Sequence, residues 1–407
     1  MSQSINRSRL FVASCLALIT TAMAFAIRAG IMNDLTETLG LSDTEKGWIN
    51  QMAFLGFPVA TIIGGALYNS LGPKKLGYIA FVGHLLGITF TLLSNSFWPL
   101  FLSTFLIGFA NGMVEAAFNP LVASMYDENK TTMLNRFHVW FPGGIVIGSL
   151  IAFALSQVNA SWQVKISTMY IPTIIYGFLF FGQRFPEHSG TISMSNAENL
   201  RTIFTSPLFW FMMVCMTMTA TTELGTQQWV ERILGQAGAA PMLVLALVTG
   251  LMAVGRYFAG PIVHQLNITG VLLGSAIISA ISIYLMSSAT GFMVYVYAVL
   301  FAVGVCYFWP NMISFVAEYM PKTGALGMSL MGGAGMFGAS IFQPLIGYWL
   351  DTHRNKALVQ GLSKEAAELL AGQATLAKIA LIPTILIFAF GFLLFLMRNR
   401  QPVRAHT

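Results

Sequence analysis

Residues 113–126 read MVEAAFNPLVASMY, and the core of that stretch returns at 308–314, an offset of 190. Phe118-Asn119-Pro120-Leu121-Val122-Ala123-Ser124 is echoed by Phe308-Trp309-Pro310-Asn311-Met312-Ile313-Ser314. Each copy lies in an apolar run long enough to cross lipid, with a proline inside it. Two further pairs keep nearly the same spacing. Pro142-Gly143-Gly144 lies opposite Met331-Gly332-Gly333, and GALYNSLG (65–72) lies opposite GPIVHQLN (260–267), offset 195. Three matches in order at a near-constant offset make the second half of the chain a repeat of the first.

Composition says what kind of unit is repeated. Of 407 residues, 56% are hydrophobic and 9% charged, with a mean hydropathy of +0.71. Soluble domains carry about 25% charged residues, so little of this surface is built for water. Apolar runs of roughly 18 residues or more recur along the chain, the length that spans a ~30 Å hydrocarbon core as helix. Continuous rather than alternating apolarity excludes a membrane β-barrel. Twelve spans are expected, near 10–31, 48–70, 76–94, 98–126, 138–157, 163–183, 207–225, 241–263, 268–288, 291–316, 325–350 and 376–397. The polar stretch 184–206 divides them six and six. Arg7 and Arg9 ahead of AMAFA imitate a secretory signal, but the run is needed as the first span. Cys15, Cys215 and Cys306 all fall in spans, so no disulfide framework follows.

A net charge of +6 without a basic cluster gives no nucleic-acid surface. With a cytoplasmic N-terminus, twelve of the 21 Lys and Arg fall in inner loops, Lys130 and Arg404 among them. Seven, including Lys46, Lys165, Arg232 and Arg354, fall outside. The excess inside supports cytoplasmic termini and an inner-membrane location. Residues 351–375 read as an external loop with a short amphipathic helix.

Two six-helix halves related by a repeat resemble the major facilitator superfamily. GALYNSLGPKK (65–75) is similar to that family's signature between helices two and three, with Gly65, Leu67, Gly72, Lys74 and Lys75 matching. Asn69 stands where the family has Asp, which removes a charge from a cytoplasmic latch. The resemblance implies an all-α polytopic membrane protein with 12 transmembrane helices in two pseudo-symmetric bundles, 1–183 and 207–407, joined by a cytoplasmic linker at 184–206. It implies a transporter working by alternating access, with the 65–75 loop in a gating or structural role.

Ionisable groups inside a membrane cost several kcal/mol on lenient insertion scales and mark functional positions. Glu115 in the fourth span, Glu223 in the seventh and Arg28 in the first lie on the helices with which the superfamily lines its cavity. Glu115 and Asn119 are one turn apart and share a face. Pro120 frees a backbone carbonyl one turn earlier, tolerated where water, side chains or ligand satisfy it. Glu115 is the expected proton-coupling acid, with structural pairing to Arg28 as the alternative. E-A-A-F-N-P resembles the Glu-x-x-x-Asn-Pro motif of the fucose–galactose–glucose type sugar:proton symporters, which implies proton coupling at Glu115. TELGTQQW (222–229) and GRYFAG (255–260) resemble that branch's seventh and eighth helices. That branch has an acid in the first helix; this chain has Arg28 there.

Aromatic and amide residues point to a hydroxylated solute. Trp140, Gln227, Gln228, Trp309 and Asn311 join Arg28, Asn119 and Glu223 as candidate substrate contacts, because aromatic faces stack on sugar rings and a few placed polar groups read hydroxyls. Trp140 and Trp229 also fit the role of interfacial anchors. His138, able to titrate near neutral pH, joins Glu115 as a proton-coupling candidate, and His84 reads as a satisfied buried histidine. Arg256 is expected to snorkel from near the inner end of the eighth span, in a gating or structural role. A lone cavity arginine clamps carboxylate or phosphate, so Arg28 keeps organic anions open as substrates. The glycines of Gly144–Gly148 and Gly332–Gly338 allow close helix approach, and are expected to slide between the halves or simply pack. No phosphate-binding loop, metal-spaced His/Cys set or nucleophile elbow is present, so an enzyme is not expected. The expected energy source is a proton or other cation gradient, with no cofactor or metal. The expected partners are a small-molecule solute and the bilayer, not nucleic acid, with the monomer as the working unit; an uncoupled facilitator or transceptor is the alternative.

Overall fold

A computed structural model describes residues 5–126, 133, 136–186, 196–257 and 259–400. Residues 187–195 of the expected linker lie outside the described residues, as do Lys130 and Arg404. Among the described residues all regular structure is helical, and ten helices are long and apolar enough to cross a membrane. They are the expected first to fifth, seventh, and ninth to twelfth spans.

The other two differ for local reasons. The sixth is broken into Trp162–Ser167 and Tyr170–Phe180. Pro172 has no N–H to give to the Thr168 carbonyl, so the helical ladder lapses where the two pieces meet. The eighth is described as helix over Pro241–Tyr257 and, with residue 258 outside the described residues, from Ala259 in a helix that reaches Met286 across a kink at Asn267. Its helix therefore continues towards Asn267, past the expected end at 263, and Arg256 sits nearer mid-span than the sequence alone suggests.

The chain divides into two compact units, Met1–Thr191 with Pro241–Thr249, and Ile192–Ala240 with Gly250–Thr407. Backbone geometry repeats between them. The second and third spans meet at Gly72 (φ 72°, ψ 166°), and the eighth and ninth meet at Asn267 (φ 60°, ψ 163°). This region of φ/ψ space is essentially reserved for glycine. Pro73 follows Gly72 at the start of the third span, where its missing N–H costs nothing.

The glycine stripes repeat as well, as packing surfaces within each unit. A Cβ on Gly144 would lie 2.7 Å from Ala22 Cβ, and one on Gly148 2.9 Å from Ala26 Cβ, so the fifth span presses on the first. A Cβ on Gly338 would lie 2.4 Å from Thr217 Cβ, so the eleventh presses on the seventh. Each stripe seats its span on the opening helix of its own unit, the small-residue packing expected where lipid supplies no hydrophobic drive.

Several charges assigned to outer loops are tied into ion pairs. Lys165 Nζ lies 2.7 Å from Asp34 Oδ2, joining the broken sixth span to the helix Met32–Leu39. Lys46 is buried, 2.6 Å from Asp43 and 3.0 Å from the Met32 carbonyl. In the second unit Arg232 and Arg354 lie 2.9 and 3.6 Å from Glu368. The expected loop at 351–375 is largely helix: the eleventh span continues to Val359, Gly361 turns the chain at φ +83°, and Ser363 caps a helix from Lys364. Ion pairs and a side-chain cap hold this polar sequence helical.

Candidate functional site

The densest polar arrangement inside a span lies in the second unit and starts from Pro310. Proline at 310 cannot donate to the carbonyl of Cys306, and the tenth span breaks there, between Phe292–Val305 and Phe308–Tyr319. The Cys306 carbonyl accepts from Arg256 Nε at 3.0 Å. Arg256 Nη2 in turn reaches Glu223 Oε1 at 3.3 Å. The Asn311 amide nitrogen donates to the Tyr307 carbonyl at 2.9 Å, and the Tyr307 hydroxyl donates to the Gly255 carbonyl at 3.0 Å. A broken helix inside a membrane persists only where its backbone groups find such partners.

Glu223 is presented by a second irregularity. Residues Thr221–Gly225 form a π turn between Pro207–Ala220 and Thr226–Gln228. Single π turns inside α-helices recur at functional sites. Glu223 is buried, and among the described residues its Oε2 has no hydrogen-bond partner. Arg256, expected to reach an interface, is turned inward by two acceptors, the freed carbonyl and the carboxylate.

In the first unit the face expected from MVEAAFNP is present. The fourth span runs unbroken from Phe97 to Met125, and Asn119 Nδ2 donates to Glu115 Oε2 one turn away. Both side chains are half-buried. Among the described residues Glu115 accepts from Asn119, and Glu223 pairs with Arg256. Arg28 is buried with its guanidinium over the rings of Phe25 and Phe54, at 5.2 and 5.9 Å from their centroids. Such stacking offsets part of the cost of burying a cation.

The remaining candidates scatter. Gln227 and Gln228 are buried just past the π turn, and Gln227 Nε2 lies 3.5 Å from Met252 Sδ. Trp309 is half-buried on the glycine face of the eleventh span: a Cβ on Gly335 would meet its ring at 2.9 Å. Trp140 and His138 are exposed beside the start of the fifth span, His138 edge-on to Phe137. Trp229 is no interfacial anchor: it is fully buried and donates to Gln343 Oε1 at 2.8 Å. Gly65, Lys74 and Lys75 are exposed around the Gly72 turn, and the side chain of Asn69 lies outside what is described. His84 is satisfied as expected, by Tyr176 and Asn111 at 2.8 Å each. Sequence reading missed Cys306, whose backbone is the anchor for Arg256. The signal was Pro310, which names the carbonyl four residues earlier as open.

Comparison with known proteins places this geometry. The chain is 22% identical over 152 residues to myo-inositol transporter 1 of Candida albicans, a match that covers 37% of this chain and 27% of that relative. Among solved structures, the bacterial homologue of the human lysosomal transporter Spinster, inward-facing and occupied, superposes with a TM-score of 0.79 at 13% identity, over 95% of this chain and 96% of that one. A D-xylose–proton symporter gives 0.72 at 12% identity over 92% and 97%. A mutant form of the nucleoside transporter NupG gives 0.77 at 13% identity over 95% and 99%. The major facilitator superfamily model matches residues 14–342. With the family's sequence pattern running through most of a chain of repeated membrane helices, this protein belongs to the major facilitator superfamily, and is a membrane transporter rather than an enzyme.

Proposed function

We propose that the protein is a proton-coupled symporter of a small hydroxylated solute of sugar size, working as a monomer in an inner membrane with both termini cytoplasmic. The observation that carries this reading is the Glu115–Asn119 contact in the fourth span, one residue ahead of Pro120. A carboxylate held half-buried in a membrane helix by a neutral amide, with no cation on it among the described residues, has no fixed counter-charge there. It can exchange its negative charge for a proton without breaking an ion pair, and the amide stays available to a hydroxyl. Two of the similar proteins, a myo-inositol transporter and a D-xylose–proton symporter, support the solute class.

The test is uptake into proteoliposomes with and without an imposed pH gradient. Gradient-driven accumulation of a neutral sugar is expected in the wild type. Glu115→Gln is expected to abolish accumulation while keeping counterflow exchange. Accumulation that survives the substitution would remove the coupling role from Glu115, and uptake indifferent to the gradient in the wild type would leave a facilitator.

A further inference from the structure

We propose that the Glu223–Arg256 pair sets the charge selectivity of transport, keeping Arg256 compensated so that the second unit accepts neutral hydroxylated solutes and turns away carboxylated ones. The proposal rests on the transport reading above and names the substrate class of the site.

An arginine in a membrane span would ordinarily be a strong carboxylate receptor, because its planar fork matches that anion. Here two of its three nitrogens are engaged. Nε donates to the Cys306 carbonyl at 3.0 Å, and Nη2 faces Glu223 Oε1 at 3.3 Å. The carbonyl is available only because Pro310 lacks an N–H, so the proline positions the guanidinium beside the acid. What the arrangement leaves unmet is an acceptor, Glu223 Oε2, buried and without a partner among the described residues. A buried acceptor without a partner is costly, and a hydroxyl donor relieves that cost while a second carboxylate adds repulsion. The nearby Asn311 amide nitrogen is already given to the Tyr307 carbonyl. Two helix irregularities, the π turn at Thr221–Gly225 and the break after Val305, flank the pair. Discontinuous helices are where repeat-built transporters form their solute sites. Discrimination here works by repulsion as well as attraction, the form that specificity takes when a like charge is built against the wrong partner.

Charge selectivity is read with sugars matched except at one carbon: D-glucose against D-glucuronate, and D-galactose against D-galacturonate. Binding to the purified protein in detergent is measured by ligand-induced thermal shift and calorimetry. The wild type is expected to favour the neutral member of a pair at least tenfold. Glu223→Gln keeps the shape, removes the negative charge and exposes Arg256, so the neutral-to-acid affinity ratio is expected to fall at least tenfold. The double variant Glu223→Gln/Arg256→Gln is expected to return the ratio towards the wild type, which separates this pair from Arg28 in the first unit. Arg256→Gln alone is expected to deepen the rejection of uronates, and this holds the test open if Glu223→Gln fails to fold.

A ratio unmoved in the single variants, equal losses for both sugars, or a wild type that prefers the uronate would each overturn the proposal. Gradient-driven uptake is measured on the same preparations. Intact accumulation with an unmoved ratio sinks this proposal alone. A shifted ratio in a protein that accumulates nothing sinks the coupling reading alone.

Discussion

Asp34→Asn and Lys165→Met break the same ion pair, yet the structure assigns them different costs. Lys165 Nζ lies 2.7 Å from Asp34 Oδ2, and the side chains are 3% and 26% exposed respectively. Removing the acid strands an ammonium group inside protein. Breaking a buried pair from that side costs about 3–5 kcal/mol. Removing the lysine, with methionine filling the space of its stem, leaves a carboxylate that already reaches solvent. The loss then approaches that of an exposed pair, about 0.2–1 kcal/mol. The expected difference is therefore at least ~2 kcal/mol, larger than the scatter of most surface substitutions.

The assay is denaturant-induced unfolding of the purified protein in detergent micelles, read by intrinsic fluorescence, with the double variant completing a cycle. Asp34→Asn/Lys165→Met is expected to be more stable than Asp34→Asn alone, because the second change removes the stranded charge. Equal losses for the two single variants, or a double variant less stable than both, would refute the reasoning. The second unit supplies a contrast. Arg232 and Glu368 are almost equally buried, at 10% and 14%. There the acid should again be the costlier loss, for another reason: Glu368→Gln removes a carboxylate that Arg232 and Arg354 share.

Two further predictions follow from backbone geometry. Gly338→Ala places a Cβ 2.4 Å from Thr217 Cβ and should destabilise by about 1–3 kcal/mol through overpacking. Gly274→Ala, with nothing within 4 Å, should stabilise by roughly 0.5–1 kcal/mol; the same unfolding assay ranks the two, and the opposite order would discount the stripe as a contact. Asn267→Gly should stabilise by about 1 kcal/mol, since asparagine holds φ 60°, ψ 163°, whereas Gly72→Ala should cost ~1–3 kcal/mol at the equivalent bend. A stabilised Gly72→Ala variant would show that the two bends are not equivalent.

The fold was legible because lipid imposes a simple rule on sequence. Backbone groups in hydrocarbon must be satisfied within the segment, so apolar length alone locates helices. The repeat could be read because the same backbone task recurs: the residues of GALYNSLG and GPIVHQLN differ, yet both end at a bend of one φ/ψ type. Where reading failed, a local polar event had overridden the apolar run. Pro172 split the sixth span, and Gly361, Ser363 and the Glu368 ion pairs turned an expected loop into helix. Lys165 and Lys46 looked like outer-loop charges because their partners, Asp34 and Asp43, look like loop residues too.

The site was legible by residue type and not by partner. Glu115 and Asn119 are joined by helical spacing, which sequence displays directly, and they meet as that spacing requires. Glu223 and Arg256 sit on different spans, 33 positions apart, and no periodicity connects them. What connects them is a backbone atom with no letter of its own in the sequence. Pro310 leaves the Cys306 carbonyl open, an arginine on the neighbouring span closes it, and that guanidinium then faces the acid on the π turn. Arg256 sits well inside its span, and two acceptors within the protein hold its guanidinium there. Proline at 310 and arginine at 256 are thus one physical requirement written at two places, and a substitution at either should be felt at the other.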